Sequence, residues 1–99
     1  MNKELFVALG KCRIIEKELV FTKFDITEEE LEGYLSQKLL SKEIVEKETD
    51  TKEYYTLTEK GEKALKELVP SFGEIYRGFI LEHDIALMEF YLKRTTKEQ

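Results

Sequence analysis

The sequence predicts an α+β domain in which three helical segments precede a two-stranded β-hairpin and further helices follow it. Three observations predict this. Apolar residues recur at helical spacing as far as Leu39. A polar, turn-prone stretch, KETDTK, separates two short β-type runs. After Pro70, large apolar side chains again follow helical spacing, as far as Tyr91.

Leu5, Phe6, Leu9, Cys12, Ile15 and Leu19 supply the first stripe. Gly10 interrupts it, so the region reads as two short helices, about 2–9 and 12–20, with one longer helix as the alternative. FTKFD is a turn-like break. ITEEELEGYLSQKLLS then carries a capping box, in which Thr27 accepts from the amide three residues on and Glu30 reaches back. Glu28, Glu29 and Glu30 also suit the positive end of that helix dipole. Leu31, Tyr34, Leu35 and Leu39 form its apolar stripe.

Ile44–Val45 and Tyr54–Leu57 are the expected strands. Tyr54 and Tyr55 alternate faces, so one can pack inward while the other points out. Thr58 is the expected N-cap of EKGEKALKELV, with Ala64, Leu65 and Leu68 on its buried side. Pro70 and Ser71 end that helix and open the last one, which carries Phe72, Ile75, Phe79, Ile80, Ala86, Leu87, Phe90 and Tyr91.

Ninety-nine residues, 41% hydrophobic with six Phe and five Tyr, make one domain, 1–99, that folds around a modest core. Lys and Arg number 16 against 21 Asp and Glu, for a net charge of -5. Indiscriminate polyanion binding is disfavoured, because such affinity comes from neutralising phosphates. A contact through a locally basic surface is not. One cysteine and one histidine allow no internal disulfide and no Cys/His metal set. With no cluster of catalytic residue types and no phosphate loop, neither an enzyme nor a cofactor is expected. No apolar run approaches the ~20 residues of a membrane span, so a cytoplasmic protein away from the membrane is expected.

The segment LLSKEIVEKETDTKEYYTLTEKGEKAL resembles the wing region of MarR- and PadR-like regulators. There a leucine ends the recognition helix, a strand follows, and the second wing strand closes with a Y-x-LT-x-KG pattern. Here those positions are Leu39 and Leu40, Ile44 and Val45, then Tyr55, Leu57, Thr58, Lys60 and Gly61. LEHDIALMEFYL is similar to the helix that follows the wing in replication-relaxation proteins of mobile elements. In length and in its Lys/Glu/Ile-rich style the chain also resembles the small winged-helix accessory proteins of clostridial conjugation relaxosomes. The resemblance implies a winged helix-turn-helix: a core over 1–69 and a dimerisation helix over 70–95. It also implies double-stranded DNA as partner, a second copy of the chain, and a relaxase or other relaxosome proteins at an origin of transfer.

Charge departs from that family's usual docking, in which the start of the recognition helix enters the major groove. Residues 25–35 hold Asp25, Glu28, Glu29, Glu30 and Glu32 and no Lys or Arg. Residues 1–24 hold five basic side chains against three acidic ones. The far end of the third helix and the wing offer Gln37, Lys38, Lys42, Lys47, Thr49, Thr51 and Lys52, groups suited to phosphate positioning and some base-edge contacts. The expectation is that DNA is touched by the wing and its tip. The competing reading of the alternating Lys and Glu is an ordinary solvated hairpin. For Lys11 and Arg13 a structural role comes first.

Phe72, Ile75, Phe79, Phe90 and Tyr91 exceed what one small domain needs on a single helix, and are the expected homodimer interface. Adjacent His83 and Asp84 diverge on a helix, so a packed or interface histidine is expected rather than a catalytic one. Cys12 reads as a small buried apolar residue. The functional classes in play are a relaxosome accessory factor, a winged-helix transcriptional regulator, and a protein-interaction module without DNA contact.

Overall fold

The computed structural model describes residues 2–47, 49–76, 78 and 81–97, with backbone alone at Lys47, Leu81 and 93–97. Among them the order is α1 (Lys3–Cys12), β1 (Ile15–Glu16), α2 (Lys17–Phe24), α3 (Glu28–Ser36), β2 (Leu40–Lys47), β3 (Asp50–Leu57), α4 (Glu59–Leu68) and α5 (Leu81–Lys97). The strands form one antiparallel sheet in the order β1-β3-β2. This α+β arrangement is compatible with a winged-helix-like fold. No described helix is long and apolar enough to cross a membrane.

Asn2 starts α1 and ties three helices together. Its side-chain oxygen accepts from the Leu5 amide (2.9 Å), its Nδ2 donates to the Phe24 carbonyl (2.9 Å), and its backbone N–H donates to the Tyr34 hydroxyl (2.8 Å). The Phe6 and Tyr34 rings meet edge to face, centroids 5.3 Å apart.

The expected break at Gly10 does not occur, because that glycine is a contact point. A methyl there would lie 2.6 Å from a Leu65 methyl and 2.8 Å from the Phe72 ring. The chain breaks three residues later, at Arg13, whose φ of 73° lies in the left-handed range that L side chains rarely adopt. Ile15 and Glu16 then form β1, pairing with Tyr55 and Tyr54 of β3, so the expected helix over 12–20 is a strand followed by α2.

α2 and α3 are joined by Asp25–Thr27, with Asp25 left-handed at φ 52° and Ile26 buried. Two helices on a three-residue turn are compatible with a helix-turn-helix. Thr27 caps α3 by accepting from the Glu30 amide (3.1 Å). The reciprocal half of the capping box does not form: Glu30 accepts instead from the Tyr34 hydroxyl (2.6 Å).

α3 ends at Ser36, and both strands run longer than expected, so much of KETDTK is strand. Tyr54 and Tyr55 are both buried, at 2% exposure each, rather than one in and one out. The reason is a second cover. Tyr55 shares its face with Ile15 and Lys42, on the side of Glu28 and Glu32 of α3. Tyr54 shares its face with Glu16, whose N–H donates to the sulfur of Met88 on α5 (3.3 Å).

α5 begins at Leu81, not near Pro70; the described residues Phe72–Tyr76 and Gly78 are not helical. That segment runs along α1 instead, and the Tyr76 amide donates to the Gly10 carbonyl (2.8 Å).

Candidate nucleic-acid interface

The hairpin's position is fixed at its root by one threonine. Thr58 Oγ1 donates to the Lys38 carbonyl (2.5 Å), lies 3.1 Å from the Leu39 carbonyl, and accepts from the Gly61 amide (3.0 Å). Its backbone N–H also donates to the Leu39 carbonyl (3.1 Å). One side chain therefore caps α4, closes β3 and fastens both to the end of α3. Lys38 is held at φ 62° by this junction, which turns the chain from α3 into β2.

Gln37 and Lys38 are exposed at the foot of the hairpin, and Lys42, Thr49 and Thr51 are exposed along it. Lys52 is half-buried, and Lys47 is described by its backbone alone. The expected contact residues divide between two faces. Pairing with Tyr55 puts Lys42 on the α3 side, with Thr51 and Glu53; Lys52 lies on the other side, with Tyr54 and Val45.

Carboxylates accompany these lysines. Lys42 Nζ is 3.7 Å from Glu53 Oε1, and Lys52 Nζ is 3.9 Å from Glu16 Oε1. Lys17, at the start of α2, reaches Glu53 Oε2 at 3.3 Å, and Glu53 holds its ammonium above the ordinary lysine range. Partly exposed pairs of this kind are worth about 0–1 kcal/mol. Sequence reasoning missed Lys17 because its contacts run through β1, whose two residues give no periodic signal. Glu28, Glu29, Glu30 and Glu32 remain exposed on α3, so the acidic start expected there is present on the surface.

A second charged group joins the hairpin to the helices. Arg13 Nε donates to Asp84 Oδ2 (2.5 Å) and Nη1 to Glu43 Oε1 (3.2 Å), joining the end of α1 to α5 and to β2. Asp84 is fully buried. Burial alone would lower the Arg13 pKa, but hydrogen bonding to Asp84 and the nearby Glu43 charge raise it. The expectation of a structural Arg13 agrees with this geometry. His83, beside it, is exposed rather than packed.

Of the residues assigned to a dimer interface, Phe72, Ile75 and Tyr91 are half-buried against the chain's own core. Phe90 is 67% exposed, and Phe79 lies outside the described residues. The inward stripe of α5 is Asp84, Met88 and Leu92.

Cys12 is fully buried in α1, and burial pushes its thiol pKa up to about 12. The thiolate is the reactive species. A thiol reagent at pH 8 should therefore label the native protein slowly, at a rate that rises with urea as the protein opens. Rapid labelling of the folded chain would contradict this burial.

Comparison of the chain with known protein families, with curated proteins and with solved structures finds no match.

Proposed function

We propose that this chain is a sequence-specific double-stranded DNA-binding protein of the winged helix-turn-helix type, acting as a homodimer. Its resemblances point to an accessory role at a plasmid origin of transfer, with a relaxase among its partners; a transcriptional regulator is the alternative. The observation that carries the reading is the hairpin root. Thr58 fixes the β2–β3 ribbon to the end of α3, with Gln37 and Lys38 exposed at its foot and Lys42, Thr49 and Thr51 exposed along it.

In this reading the wing makes the main contact. Its lysines position the duplex through phosphates, and the scarcity of arginine shifts recognition toward duplex shape. The acidic start of α3, whose Glu28 lies close enough to help Glu53 hold the Lys17 ammonium above its ordinary range, opposes a closer approach of the duplex on that side.

A second reading, a protein-interaction module, is favoured by that same acidic helix. Salt titration separates them. Binding to labelled duplexes, followed by anisotropy, should weaken with a log–log slope reflecting the few lysines engaged. Lys42→Ala with Lys52→Ala should weaken binding roughly uniformly across sequences, by about tenfold or more at low salt. Unchanged binding in that variant, with a large loss on altering residues 28–33, would replace wing docking by helix docking. No binding to any duplex would favour the protein module.

A further inference from the structure

Two lysines from different elements converge on Glu53. Lys17 Nζ, from the start of α2, lies 3.3 Å from Oε2, and Lys42 Nζ, from β2, lies 3.7 Å from Oε1. Each carboxylate oxygen thus faces one ammonium, an arrangement that also suits two oxygens of a phosphate. The three side chains stay open to solvent, at 38%, 41% and 31% exposure. Beside them Ile44, the cross-strand neighbour of Glu53, is 58% exposed and offers an apolar shoulder of the kind a deoxyribose edge can rest on.

We infer that Glu53 holds, in the free protein, a backbone-phosphate position built by Lys17 and Lys42, and that the duplex displaces it on binding. The inference rests on the DNA-binding reading above and adds to it a contact, Lys17, and a resident competitor, Glu53. Exposed ion pairs are weak and exchange readily, so a phosphate carrying a full charge into a dense polyanion replaces the carboxylate at small cost. Until then Glu53 keeps two flexible ammonium groups converged on one point. It also lowers the affinity for unspecific polyanions, because every duplex must first move it aside.

The test is duplex binding by anisotropy over a range of salt, for the wild type and three variants. Glu53→Gln should tighten binding by about three- to tenfold at low salt, the loss of two weak competing pairs. Glu46→Gln removes one charge from the same face of the sheet without freeing a lysine, and should change affinity by less than about twofold. Lys17→Ala should weaken binding and reduce the salt slope by about one. If Glu53→Gln matches Glu46→Gln, or Lys17→Ala leaves the slope unchanged, the inference is overturned while DNA binding stands. Absence of binding by the wild type overturns the DNA-binding reading itself, and the inference with it.

Discussion

Replacing Arg13 with methionine should destabilise the fold by about 3–5 kcal/mol, the cost of leaving a buried carboxylate without its counter-charge. Asp84 is fully buried, its Oδ1 has no hydrogen-bond partner among the described residues, and the Arg13 guanidinium at Oδ2 is its counter-charge, with the Tyr76 hydroxyl a neutral neighbour of the same carboxylate. The Gly78 backbone lies against the same carboxylate, since a Cβ there would collide with it, which leaves little room for water to enter. Glu43 is a lesser partner because it is 40% exposed and remains solvated without the arginine. Urea unfolding of Arg13→Met gives the cost directly. The double variant Arg13→Met with Asp84→Leu should recover much of it, because a buried ion pair replaced by apolar groups of similar volume is often neutral. A single-variant loss below about 1 kcal/mol would mean that the pair behaves as a surface bridge.

This pair also explains what could be read from the sequence and what could not. Local signals were legible. Thr27 and Thr58 cap α3 and α4 as their spacing predicts, because an N-cap depends only on residues three apart. The hairpin was legible from its alternating pattern, although its strands extend further once partners cover both faces. Features made by distant contacts were not. β1 has two residues and exists because Ile15 and Glu16 find Tyr55 and Tyr54 some forty residues on. Gly10 carries a helix-breaking signal, yet helix α1 continues through it because Leu65 and Phe72 need the space. The run after Pro70 keeps helical spacing as far as Phe72 and Ile75, but those side chains pack on the core while the backbone turns along α1, and α5 starts at Leu81. For the candidate site the sequence shows which lysines the hairpin carries. Their division between two faces, and the pairing of Lys17 with Glu53, needed the register.

The two buried helical glycines should respond to the same substitution in different ways. Gly61→Ala places its methyl against the Leu39 carbonyl oxygen, a backbone atom that also takes the Thr58 amide at 3.1 Å. Neither group can move without loosening the junction of α3, β3 and α4. The expected loss is about 3 kcal/mol, the upper end of overpacking costs, and it exceeds the ~1 kcal/mol that alanine gains over glycine in a helix. Gly10→Ala instead meets a Leu65 methyl and the Phe72 ring, side-chain atoms that must shift to make room but are not backbone. There the propensity gain offsets most of the crowding, so the net change should stay within about 1 kcal/mol of zero. Denaturant midpoints of the two variants, measured with the wild type, decide the matter. Gly61→Ala should be the far weaker fold, and should also loosen the hairpin, visible as faster amide exchange at Leu40 and Leu57. If Gly61→Ala proves as stable as Gly10→Ala, then α4 is not seated on the Leu39 carbonyl, and the rigid placement of the hairpin loses its physical basis.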